Sequence, residues 1–225
     1  MGEREEILEE WPYLATLPAE LEGFALTVDG RWRNEAVRDI FSYCSGDGRK
    51  RVAVVFDKST KDYMLRRDIG LNSYFDMNYI YPSRDKFESC LVSGLPRLLR
   101  LLQNPLAEGK NKLLEKKGIY EWQGYQQFPE QWHGFERFIS PDKAFPMPNG
   151  AYAILDYSDF STGSQFLVLY NQLRDSLYAE KRIARTPVAT TEFDAVELAA
   201  LEADLVQGME KQLILMRKEL TSRKR

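Results

Sequence analysis

Two stretches of the chain end an apolar run on an aspartate and follow it with hydroxyl side chains: RVAVVFDKST at 51–60 and YAILDYSDFST at 152–162. The spacing Asp-x-Ser occurs in both, as Asp57-x-Ser59 and Asp156-x-Ser158. A carboxylate with neighbouring hydroxyls suits Mg²⁺. The backbone N–H groups of a helix that follows a strand suit phosphate. Asp57, Ser59, Asp156, Ser158, Asp159, Thr162 and Ser164 are therefore the ligand or phosphate candidates, with Ser161 among them and Lys58 and Lys61 as nearby cations. The same residue types also satisfy turns and helix caps by local hydrogen bonding. The polar joint at 156–164 reads first as that, a turn with Ser164 capping a helix. No Gly-x-x-x-x-Gly-Lys phosphate loop is present.

Other reactive residues are few. His133 is the single histidine, and Cys44 and Cys90 are the two cysteines. Three such residues, none of them close in sequence, argue against a zinc site. His133 is available as a general base, but EQWHGFERF reads more simply as a helix with a structural histidine. No residue is assigned as catalytic, no metal ligand is assigned, and no cofactor is specified.

Between residues 120 and 138 aromatic side chains fall every two to four positions among Gln and Glu. They read first as filling a core, while Trp122 and Trp132 are the members suited to anchoring an interface. Arg31 to Lys117 is richer in bases than acids, including Arg31, Arg33, Arg49 to Arg51, Arg66 and Arg67. Brought to one face, they would attract nucleic acid. The net charge of −3 and the absence of a reader motif weigh against that partner.

The elements that must position these residues follow from periodicity. The 225 residues, 44% apolar and 29% charged, are ordinary for a globular protein with a sizeable core. Residues 3–10 read as an acidic helix and Asp29-Gly30 as a hairpin turn. Strands are expected at 51–57, 74–81 and 152–156. Helices are expected from Asn34 to Cys44, from Ser59 to Arg67, from Ser83 to Leu102 with Gly94 and Pro96 bending or splitting it, from Pro129 to Ile139, and from Ser164 to Arg185. No repeat of 20–50 residues shows in the sequence.

The fold expected is α+β: a short mixed sheet flanked by helices, with a long C-terminal helix. Residues 1–188 form one domain, and 189–225 an amphipathic helix with a basic end. That helix carries Leu198, Leu201, Leu205, Met209, Leu213, Met216 and Leu220 in steps of three and four. Its apolar seam is longer than one small domain needs to cover. The leading function is therefore protein–protein interaction or regulation, the helix pairing with a protein partner or in a homodimer. A Mg²⁺-dependent phosphate- or nucleotide-handling protein and a nucleic-acid-associated protein are the alternatives. The start lacks the pattern of a secretory signal and no run is long enough to span a bilayer, so a cytoplasmic protein is expected.

Overall fold

Lys50–Asp57 buries Val52 and Val54 from one face and Ala53 and Val55 from the other. β-Branched residues buried on both faces favour an interior strand. This is β4 of a six-stranded antiparallel meander in sequence order: β1 (Glu20–Leu21), β2 (Phe24–Thr27), β3 (Val37–Cys44), β4, β5 (Asp62–Ile69) and β6 (Asn72–Tyr81). The helix α1 (Arg84–Gln103) follows, capped by Ser83, with Phe87, Leu91, Leu95, Leu98, Leu99 and Leu102 buried. Trp11 packs edge-on against Phe41 and Tyr63, and Tyr63 stacks on Phe87 of α1. A computed structural model describes residues 11–28, 30–188 and 190–223. The expected helix at 3–10, Asp29 of the expected turn, and Lys224-Arg225 of the basic end lie outside the described residues.

Backbone contacts divide the chain into two units, Met1–Asn104 and Pro105–Arg225. The second unit holds α2 (Lys112–Lys116), β7 (Gln131–Trp132), β8 (Phe135–Arg137), β9 (Phe145–Pro146), β10 (Ala151–Asp159), β11 (Ser164–Asn171), β12 (Ser176–Ile183), β13 (Thr186–Val188) and α3 (Leu198–Ser222). Its sheet runs β13-β12-β11-β10-β8-β7, with β9 also paired to β10. The fold is α+β with a long C-terminal helix, but it is mostly sheet, and every strand pairing among the described residues is antiparallel, not mixed.

The two units are built on one plan. Trp11, Pro18, Gly23 and Phe24 recur 111 residues later as Trp122, Pro129, Gly134 and Phe135. Ile40, Tyr43, Val54 and Ile69 recur 114 residues later as Ile154, Tyr157, Val168 and Ile183. The same offset carries the strand registers. Val37 faces Asp57 as Ala151 faces Asn171, and Ile69 faces Asn72 as Ile183 faces Thr186. β3 bulges between Asp39 and Phe41, and β10 between Ala153 and Leu155. Tyr43 donates its hydroxyl to the Pro18 carbonyl at 2.7 Å, and Tyr157 to that of Pro129 at 2.6 Å. In each helix a glycine lies under an aromatic ring: Gly94 under Tyr79, Gly208 under Phe193.

Four expected helices are strands. In β3 the bulge inserts one residue, so Val37, Ile40, Phe41 and Cys44 imitate a helical spacing. In β11 Ser164 to Tyr170 are all buried, so no period of two shows. β11 and β12 replace the helix expected from Ser164 to Arg185. β5 replaces the one expected from Ser59, its Tyr63, Leu65, Arg67 and Ile69 alternating along one face. The helix expected at 129–139 is the β7–β8 hairpin, turned by His133 (φ 50°) and Gly134 (φ 81°). That turn needs two positive φ values in succession, where glycine is the least strained residue. Strands at 51–57, 74–81 and 152–156 and the helix after Ser83 stand as expected. α1 runs unbroken through Gly94 and Pro96, and α3 starts at Leu198 rather than within 189–197.

Candidate functional site

The polar residues singled out by sequence are occupied by local structure. Asp57 lies in the β4–β5 turn, where its Oδ1 accepts from the Ser59 N–H at 2.8 Å and hydroxyl at 2.5 Å. These bonds hold its carboxyl below the usual range. Asp159 sits at the β10–β11 turn and accepts from the N–H and hydroxyl of Ser161 and the N–H of Thr162. Ser164 caps no helix; it accepts from the Ala184 N–H at 2.8 Å across the sheet. No helix follows either aspartate, so neither site has the helix N-terminus that the phosphate reading needs. Asp57 and Asp156 belong to different units.

Asp156 differs from the other carboxylates because it is fully buried on β10. Its Oδ1 accepts from the N–H groups of Phe138 and Ile139 at 3.0 and 2.8 Å, and its Oδ2 from the Ser158 hydroxyl at 2.9 Å. Burial outweighs these bonds and pushes its carboxyl up to about 6. Its partners are β10 and the strand-like segment after β8, so the group fastens neighbouring chain segments.

The seam of α3 is not free. Leu201, Leu205, Met209 and Leu213 have no exposed surface, and Met216 and Leu220 are buried with them in the core of the second unit. Leu198 packs at its edge. The sheet of residues 151–188 offers Leu155, Tyr157, Phe166 and Val168 to cover the seam, where the sequence predicts a strand only at 152–156 and a helix from Ser164. Trp122 is 4% exposed in this core, and Trp132 packs against it between Phe128 and Tyr157. These side chains are core, and the reason for making the seam an interface falls away.

The basic region is largely paired within the first unit. Asp39 accepts from Arg33 at 2.6 Å and Arg51 at 3.2 Å. Arg66 pairs with Asp68, and Arg67 with Asp76. His133 contacts Glu210 through Nε2 at 3.0 Å. Arg217 of α3 joins two turns of the second unit. Its Nε donates to the His133 carbonyl at 2.9 Å, its Nη1 to Asp159 at 2.8 Å, and its guanidinium lies 4.7 Å from the Phe135 ring centroid. Among the described residues no three His, Cys, Asp or Glu side chains are grouped to hold a metal.

One concave feature with convergent polar groups is a cleft of about 630 Å³ in the second unit. It forms where the repeat is broken. In the first unit β6 rejoins β5 at two pairs, Met64↔Ile80 and Tyr63↔Tyr81. In the second, β13 ends at Val188, and the chain returns to β12 only at the single bridge Leu177↔Ala195. The counterparts of Met64 and Ile80 are Tyr178 and Asp194, both of which line the cleft. Thus an apolar cross-strand pair is replaced by two polar side chains at an opening. Burial raises the Tyr178 phenol, and the neighbouring Asn149 side chain opposes that rise. Arg174, Asn171, Ser176 and Thr190 add a cation, an amide and hydroxyls, above an apolar floor that includes the buried Leu177. Leu173, on the same turn as Arg174, is 80% exposed, and Val196 on the wall is 60% exposed.

The sequence hides this site because residues 171–178 fall in one expected helix and Thr190 to Val196 in the expected C-terminal helix of 189–225. The signal present was the repeated Trp-x₆-Pro-x₄-Gly-Phe motif at residues 11–24 and 122–135. Aligning the chain with itself on that motif brings Tyr178 and Asp194 opposite Met64 and Ile80. Compared with protein-family models, curated proteins and solved structures, the chain matches none. Among the described residues no helix is long and apolar enough to cross a membrane.

Proposed function

We propose that this chain is a binding protein that captures an extended segment of a partner polypeptide in the cleft of its second unit. The observation that carries the reading is the cleft itself, opened where the second repeat departs from the first and lined by polar groups with exposed Leu173 and Val196 at hand. Its volume falls within the range of roughly 300–1,000 Å³ common to ligand sites. A polypeptide supplies what the walls ask for: alternating donors and acceptors for the amides and hydroxyls, and apolar side chains for Leu173 and Val196 outside the deepest part. The Mg²⁺-phosphate alternative has weaker support, since Asp57, Asp156 and Asp159 are held in turn and strand hydrogen bonds. The nucleic-acid alternative has weaker support because Arg33, Arg51, Arg66 and Arg67 are paired with aspartates. Self-association through the α3 seam has lost its motive.

A selection from a random linear-peptide library displayed on phage tests the reading. Enriched peptides are expected to bind the full chain in solution, and Leu173→Asp with Val196→Asp to weaken them about tenfold or more. Val206→Asp, on the exposed side of α3, serves as the control and leaves binding unchanged. Enrichment of nothing above background, or peptides that bind the Leu173→Asp, Val196→Asp variant as well as the wild type, refutes it.

A further inference from the structure

We infer that the cleft reads charge, Arg174 receiving a carboxylate of the bound segment and Asp194 a cationic group. This rests on the polypeptide-binding reading above and adds which residues set specificity. The first observation is that these two charges are unspent. Among the described residues Arg174 and Asp194 enter no ion pair, although both line the same cleft. Many other arginines are held by carboxylates, among them Arg33, Arg51, Arg66, Arg67, Arg182 and Arg217.

The second observation is that both charges are peculiar to this unit. The counterparts of Arg174 and Asp194, 114 residues earlier, are Thr60 and Ile80. The backbone of the turn that carries Arg174 has the same features in both. Asp57 and Asn171 each accept the N–H two residues on, and Lys61 and Asp175 both have positive φ, 61° and 49°. The backbone of the turn is therefore held constant while Arg174 takes the place of Thr60, and the flanking Lys58 and Lys61 give way to Gln172 and Asp175. Asp194 stands beside the single bridge that closes the cleft, where the first unit has an apolar residue.

Chemistry then fixes what each charge selects. A guanidinium offers a planar fork of donors that fits a carboxylate with two parallel hydrogen bonds. Asp194, as a carboxylate, accepts from an ammonium or guanidinium and disfavours a second acid beside it. A cleft bearing one charge of each sign is neutral, so it selects by arrangement and rejects segments that carry one sign only. The ligand class is a mixed-charge peptide with an apolar residue for the exposed Leu173.

Repeating the peptide selection with charge-reversed full chains decides this separately from the parent reading. Peptides enriched on the wild type are expected to contain both an acidic and a basic residue. Arg174→Glu should exchange the enriched acid for a base. Asp194→Lys should exchange the enriched base for an acid. Each variant should bind the wild-type peptides about tenfold or more weakly at low salt, with the gap narrowing as salt is added. Peptides that depend on Leu173 and Val196 but keep the same charges on Arg174→Glu and Asp194→Lys overturn this inference and leave the binding reading standing. Peptides indifferent to Leu173 and Val196 overturn both.

Discussion

Trp122 donates its indole N–H to Glu202 at 2.8 Å, tying the start of the second unit to the first turns of its helix. Trp11 does the same to Glu88 at 2.6 Å in the first unit. Both indoles are nearly fully buried. A hydrogen bond to a charged group contributes about 1.5–3 kcal/mol, and losing it also strands the carboxylate. Trp122→Phe is therefore expected to lower the stability of the second unit by about 2 kcal/mol, with Glu202→Gln milder because the amide oxygen still accepts. Urea denaturation followed by hydrogen exchange in each unit measures this. Equal loss of protection in both units would contradict the assignment of each pair to its own unit.

The buried carboxyl of Asp156 gives stability an unusual pH dependence. Its folded pKa, about 6, lies above the ordinary aspartate value, so the folded state binds the proton more tightly. Its contribution is fully present below about pH 4 and is lost as pH rises through about 6. Asp156→Asn keeps an oxygen for the Phe138 and Ile139 N–H groups and never ionises. At pH 8 it should be more stable than the wild type by about 2 kcal/mol, and the difference should shrink at pH 4. Denaturation midpoints at the two pH values check the sign. An Asn variant less stable at pH 8 than at pH 4, relative to wild type, contradicts it.

Asp159 responds in the opposite direction. Burial pushes its carboxyl up, but the bonds from Ser161, Thr162 and Arg217, with the Arg217 charge, outweigh that and hold it below the usual range. Its contribution is present above the unfolded aspartate pKa and is lost as pH falls through the lower, folded value. Arg217→Met removes the ion pair and the bond to the His133 carbonyl while keeping an apolar stem over Phe135. A loss of about 2 kcal/mol is expected, with faster exchange at the His133-Gly134 turn. Adding Asp159→Asn should return part of that loss, since the stranded charge is gone. A strictly additive double variant would show that the two side chains do not interact.

How much of this was legible follows from which residues faced one environment and which faced two. α1 announced itself because Phe87, Leu91, Leu95 and Leu98 share one stripe and Arg97 and Arg100 stay outside it. The run at 51–57 did so because β-branched residues are dense there. β11 did not, because Gln165 to Tyr170 are buried whichever face they occupy, and a run buried on both sides has no period to read. β3 did not, because the bulge at Ile40 shifts the alternation by one residue midway. The aspartates read first as turn formers and second as ligand candidates, because composition cannot separate a turn from a site when both need the same oxygens. The cleft was invisible because it depends on where β13 leaves β12, a tertiary event at Val188.

The repeat also places a ring over a helix glycine in each unit, and substitution there separates two effects. A Cβ on Gly208 would lie 3.1–3.2 Å from two atoms of the Phe193 ring, which is buried and set edge-on to Phe166 at 5.2 Å. Alanine gains about 1 kcal/mol of helix propensity over glycine, but overpacking a closed core costs about 1–3 kcal/mol. Gly208→Ala should be neutral to destabilising in the wild type and stabilising in a Phe193→Leu background, where the crowded edge is removed. A thermal-denaturation cycle on the four proteins measures the coupling, and a Gly208→Ala effect of the same sign and size in both backgrounds would count against the contact.

Substitution on α3 distinguishes a helix that covers its own core from one that meets a partner. Leu205 has no exposed surface, whereas Val206, next to it, is 54% exposed. Leu205→Asp puts an unpaired carboxylate into the core cluster that holds Phe166, at a cost of about 4 kcal/mol or more. Val206→Asp leaves the charge in water and should change stability by no more than about 0.5 kcal/mol. Far-UV circular dichroism with light scattering after size exclusion reads both consequences at once. Leu205→Asp is expected to unfold or aggregate the second unit, and Val206→Asp to match the wild type in spectrum and mass. A Leu205→Asp chain that stays folded and falls to a smaller mass would return the seam to the surface and reinstate association through the helix.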